Sequence, residues 1–188
     1  MQYPLHIRSY TTCWFLKKIN NMELIPMINR HNLISVKLIC GWIEEDEKRL
    51  KKLADIVFGK DKGLSRKASW PFYNYSQKHP EKFNKYIPKM IHLLETPELH
   101  NAIYRNITGA FQYVQVPEKF AGRLINCCIE FLSVPSTLPA IVANCLTILY
   151  KFSLKYPELN KETALLLEGL DMGKASIRAR VKAHFKKP

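Results

Sequence analysis

The residues of this chain best suited to holding an anion are Arg66, Lys67, Arg105, Lys151, Lys155, Arg178 and Arg180, with Trp70, Tyr73 and Tyr104 spaced among them. Guanidinium and ammonium groups contact carboxylates and phosphates, and aromatic rings stack on cations or on bases. With one carboxylate added, the same set could excise an alkylated base, the acid stabilising the cation that develops in the transition state. That acid is missing from the segments carrying these residues. Residues 65–79 and 137–155 hold no Asp or Glu, and 98–115 holds only Glu98, at its start. A groove with bases and no acids is expected to attract an acidic peptide or another protein's acidic face, noncatalytically. Nucleic acid is the competing class of partner, with or without excision activity.

Other chemistry is not encoded. The chain has no GxxxxGK[ST], GxGxxG, HExxH or GxSxG. Its six histidines are scattered; His92 and His100 fall on different expected helices, which is poor metal spacing. No cofactor or metal is therefore expected. Five cysteines are irregularly spaced, and the adjacent Cys127 and Cys128 would point about 100° apart on a helix, so they cannot form a CxxC clamp. Mostly lying within apolar runs, they read as small hydrophobes in a reducing compartment, the cytoplasm. The 29 basic and 16 acidic residues give a formal charge of +13, which bears on solubility and polyanion attraction rather than on fold. No apolar run reaches the ~18 residues of a membrane span. Residues 1–21 carry Arg8, Lys17 and Lys18 without an acid and read as a basic extension, with one domain following over 22–188.

The elements that must position these residues announce themselves by repetition. WPFYNYSQKHPEKF (70–83), NITGAFQYVQVPEKF (106–120) and CLTILYKFSLKYPELN (145–160) each run from apolar and aromatic residues to a proline followed by glutamate. Those prolines, Pro80, Pro117 and Pro157, are 37 and then 40 residues apart. Two helical segments per period of this length specify stacked helical hairpins. Proline and a carboxylate in the first turn both suit a helix start. The expected pairs are 45–58 with 65–79, 81–95 with 98–115, 118–133 with 137–155, and 159–171 with 174–187, preceded within 24–43 by one short capping helix after Pro26 that ends near Gly41. Ser65 is read as an N-cap, Pro71 as lying in the first two turns of its helix, Pro88 as a bend within 81–95, and Thr96-Pro97-Glu98 as a helix start.

Through ASWPFYNYSQKHPEKF, ITGAFQYVQVPEKF and TILYKFSLKYPELN the chain resembles the HEAT-repeat, armadillo-like α-solenoids, and in particular small bacterial HEAT-like proteins of unassigned function. The resemblance covers about 45–187 and implies an all-α, right-handed α-α superhelix of about four helical hairpins. It also implies that the second helix of each pair lines a concave binding face. A nucleic-acid role would then be of the HEAT-like DNA-alkylation-repair type. The serine-rich loop ending Met-Pro-x-Lys-x-Asn that marks adenylosuccinate lyases is absent.

Overall fold

A computed structural model describes residues 23–185, in which there are ten α-helices, one 3-10 helix and no strand. Residues 1–21, expected to be a basic extension, lie outside the described residues.

The chain opens with a break that its apolar pattern conceals. Helix α1 (Leu24–Arg30) stops at His31, whose φ of 43° is left-handed. Helix α2 (Leu33–Glu44) then restarts on a reciprocal capping box. Asn32 Oδ1 accepts from the Ser35 N–H at 2.8 Å, and Ser35 Oγ accepts from the Asn32 N–H at 3.1 Å. In place of the single short helix expected after Pro26 there are two helices packed on each other, a hairpin in its own right.

Helix α3 (Glu47–Val57) is capped by Asp46 and buries Leu50, Leu53, Ala54 and Val57, the stripe its 3–4 spacing predicts. Helix α4 (Lys62–Lys78) begins a turn earlier than expected. Asp61 rather than Ser65 is its cap, accepting from the Leu64 N–H, while Ser65 lies inside and donates to the Val57 carbonyl. Pro71 consequently falls at mid-helix, its ring buried.

Pro80–Tyr86 is a 3-10 helix, and α5 (Ile87–Glu95) follows it. The bend expected at Pro88 is therefore a change of helix type just before it. Pro88 sits in the first turn of α5, where its missing N–H has no partner to lose. Thr96-Pro97-Glu98 is a turn rather than a helix start, with Glu98 at φ 58°. Helix α6 (Asn101–Phe111) begins after His100, whose Nδ1 accepts from the Ala102 N–H at 3.1 Å. Helices α7 (Glu118–Ser133), α8 (Pro139–Ser153), α9 (Leu159–Glu168) and α10 (Ala175–His184) complete the order near their expected limits.

The helices form two layers. The second helices contact one another in succession, α2 on α4, α4 on α6, α6 on α8 and α8 on α10, while α5, α7 and α9 make a looser first layer behind them. A continuous core fills the space between, with Phe72, Tyr75, Phe83, Leu124, Cys145 and Leu146 all fully buried. Polar side chains register the second layer. Asn106 Nδ2 donates to Ser69 Oγ at 2.8 Å in a buried bond between α6 and α4. One helix on, Asn144 Nδ2 donates to the Arg105 carbonyl and to Thr108 Oγ1, each at 3.0 Å, and its Oδ1 accepts from Gln112 Nε2 at 2.7 Å. Burial leaves such groups costly if unpaired, so these bonds fix how far each helix slides along the next.

Candidate anion-binding face

Helices α4, α6, α8 and α10 contain no aspartate or glutamate. Because they run parallel as the second members of their pairs, residues one repeat apart come together on one face.

Arg66, Lys67 and Arg105 converge beside His31. Their three charges, after burial itself, hold the His31 imidazole below the usual histidine range. Trp70 meets the His31 ring edge-on, with centroids 5.4 Å apart. Lys67 Nζ donates to Asn29 Oδ1 at 2.9 Å, tying α4 to α1. The Arg105 guanidinium is exposed and has no hydrogen bond or ion pair among the described residues; only its backbone carbonyl is engaged, by Asn144 and Thr108.

A second group lies further along the same layer. Arg180 and Lys151 flank His184 and, behind burial, keep its imidazole low. His184 stacks on Tyr150 at 4.5 Å, and Lys151 Nζ also donates to the Gln112 carbonyl. Tyr73 lies between the groups, beside Tyr113 and Gln77. Its hydroxyl is pushed up chiefly by burial and is within reach of the Arg180 charge across α6 and α8.

The remaining residues singled out from the sequence are placed apart from these groups. Tyr104 donates its hydroxyl to the Thr96 carbonyl at 2.6 Å, accepts from the Leu99 N–H at 3.1 Å and packs edge-on against Phe131 at 5.2 Å. It pins the α5–α6 turn, being rotated about 100° around the helix from Arg105. Lys155 lies beyond the end of α8 and is paired with Glu118 of the first layer. Arg178 donates to the Met172 carbonyl at 2.9 Å and closes the α9–α10 turn. The histidines His31, His100 and His184, scattered in the sequence, border the cations. Their positions depend on a left-handed turn, an N-cap and a helix end that spacing alone does not reveal.

Chemistry beyond charge is sparse. Cys40, Cys127, Cys128 and Cys145 are free and buried. Burial pushes the Cys40 thiol up to about 11 and Cys127 to about 12, and Cys128 well above the usual thiol range, so they are poor nucleophiles at neutral pH. Among the described residues no helix is long and apolar enough to cross a membrane.

Both face histidines are kept neutral in the folded protein, whereas the unfolded chain lets them protonate. Folded values below the unfolded ones mean that the unfolded state binds more protons, so stability declines as pH falls through the histidine range towards the folded values. We expect the melting temperature to drop between about pH 7.5 and about pH 5.5, a window above the carboxylate range. A His31→Asn, His184→Asn variant should lose most of that slope; an unchanged slope would assign it to other groups.

Two layers of antiparallel helix pairs, stacked so that equivalent residues recur on one face, define an α-solenoid of the repeat class. A family model described as HEAT repeat domain matches residues 22–187, and the chain belongs to that family. No curated protein and no solved structure gives a match. HEAT repeats act generally as protein-interaction scaffolds.

Proposed function

We propose that this protein is a noncatalytic scaffold whose second-helix face binds an acidic segment of another protein. The observation that carries this reading is the segregation of charge. Arg66, Lys67, Arg105, Lys151 and Arg180 lie on helices without a single carboxylate, while acids such as Glu95 and Glu118 sit in the first layer, where Glu95 pairs with Arg123 and Glu118 reaches Lys155 just past the end of α8. Cations left without local counter-charge attract an anionic ligand and steer its approach. The aromatic groups favour a peptide over single-stranded nucleic acid. Trp70, Tyr73 and Tyr150 already pack against His31, Gly109 and His184, whereas base binding calls for an open ring to stack on. Four free, buried cysteines fit a reducing, cytoplasmic setting.

Fluorescence anisotropy of a labelled glutamate-rich peptide tests the reading. Arg105→Glu should weaken binding about tenfold or more, since it sets a like charge against the ligand at a position free of structural bonds. No peptide binding at about 50 mM salt overturns the proposal. So does tighter binding of duplex or single-stranded DNA that collapses by about 200 mM salt, which would favour a nucleic-acid role.

A further inference from the structure

Two hydrogen-bond donors face each other where α4 meets the start of α6. His100 Nδ1 accepts the Ala102 N–H, so that nitrogen is the unprotonated one. A neutral imidazole carries one proton, which places it on Nε2. Arg66 Nη1 lies 3.5 Å from that Nε2 and can only donate. The contact is therefore donor against donor. Arg66 Nε is a further orphan, buried without an acceptor among the described residues. Arg66 as a whole is half-buried and its Nη1 is exposed, but an unmade hydrogen bond at a buried nitrogen such as its Nε is rare and marks a place where an acceptor belongs.

The surroundings say what kind of acceptor. Lys67 and Arg105 add two more cations close enough to depress His31, and no carboxylate contributes to the shift. Arg66 and Arg105 each stand in the second turn of a parallel helix, so the positive ends of α4 and α6 point to the same rim. Trp70 walls one side with its indole edge at His31. Donors converge here from the α1–α2 turn, α4, the α5–α6 turn and α6. A planar carboxylate offers two oxygens in one plane. A phosphate monoester offers three free oxygens in a tetrahedral array and up to two negative charges, which matches donors arriving from several directions. A phosphodiester has only two free oxygens and a single charge, and its chain must enter and leave the site.

We infer that the cluster formed by His31, Arg66, Lys67, Trp70, His100 and Arg105 binds the phosphoryl group of a phosphate monoester, so that the acidic partner is a phosphorylated peptide. This rests on the scaffold reading and specifies its ligand. A phosphoryl oxygen between Arg66 Nη1 and His100 Nε2 accepts from both, and Arg105, free of other bonds, closes over the outer oxygens.

The test has two arms on the full chain. In the first, inorganic phosphate is titrated at pH 7.5 against sulfate and acetate, following the Trp70 indole N–H and the imidazole resonances by NMR. Phosphate should shift Trp70, raise the His31 titration point and perturb His100, with acetate inert. Arg105→Met, which breaks no structural bond, should abolish these shifts, and His100→Asn, which keeps a capping oxygen, should weaken them. In the second arm, a phosphoserine peptide should bind about tenfold more tightly than its glutamate counterpart, and Arg105→Met should erase the difference. Equal binding of the two peptides with no Trp70 shift overturns the phosphoryl site while leaving the acidic-segment scaffold standing. Failure of both peptides to bind overturns both readings. A response to free phosphate without preference for the phosphopeptide, or tighter binding of an oligonucleotide than of the phosphopeptide, overturns the assignment of the partner.

Discussion

Replacing Phe72 by alanine is expected to lower the unfolding free energy by about 3–5 kcal/mol. The ring is fully buried in α4 and makes edge-on contacts with Phe83 at 4.7 Å, Phe58 at 5.5 Å and Tyr86 at 6.0 Å. Those partners come from the end of α3 and from the 3-10 helix, so one side chain joins both helices of a hairpin to the segment that follows it. The 3-10 segment relies on this packing, since its hydrogen bonding is weak and its own buried residues are Phe83 and Tyr86. Removing Phe72 leaves a cavity lined by rigid rings that relax poorly, which places the cost towards the upper end. Against a typical stability of about 5–15 kcal/mol, a urea midpoint shifted by a third or more is expected. A loss under about 1 kcal/mol would mean that the aromatic cluster can collapse around the gap.

Gly109→Val should cost about 1–3 kcal/mol by overpacking. A Cβ at this position would stand 2.8 Å from Cε2 of Tyr73 and 3.0 Å from its Cδ2, nearer than carbon atoms pack, and valine adds two methyls. Taking glycine out of a helix interior gains roughly 0.5–1 kcal/mol, so only a genuine clash yields a net loss. The ring of Tyr73 has to move, and with it its place beside Tyr113 and Gln77 on the anion-binding face. Chemical denaturation reads the stability, and the Tyr73 and Tyr113 ring resonances read the displacement. A stabilised protein with unshifted rings would show that the α4–α6 interface has slack.

How much of this was legible in the sequence depended on whether the signal was local. Pro117-Glu118 marks the start of α7 without competition, and that helix is found over the expected residues 118–133. Residues 24–43 read as one helix because the apolar pattern carries on through His31 and Asn32. The Asn32-x-x-Ser35 box that divides them is four polar atoms in a hydrophobic run. Pro88 read as a kink because 3-10 and α-helical burial patterns share the i, i+3 spacing, so Phe83, Tyr86, Met90 and Ile91 suggest a single element. On the face, Arg66 and Arg105 could be brought together from the repeat alone, since residues one period apart on parallel helices become neighbours. The absence of carboxylates from these helices was equally plain. What periodicity could not supply was the protonation pattern. That His100 spends its Nδ1 on a backbone cap and turns its remaining proton towards Arg66 depends on where α6 begins, and the helix starts three residues later than Glu98 suggests.

The two ends of the stack are not anchored equally. Helix α9 has only Thr163 fully buried, and Leu165 stands 70% exposed on its outer side, whereas α8 beside it buries nine residues. In a linear array each pair is steadied only by its neighbours, and opening can spread inward from an end. Amide protons of α9 should therefore exchange with solvent sooner than those of α8, at free energies well below that of global unfolding. Arg180 and His184 on α10 belong to the same terminal hairpin, so the second cationic group rides on the part of the molecule that opens most readily. A ligand touching that group would tighten the last hairpin as it binds. One held only at Arg66 and Arg105 would leave it breathing.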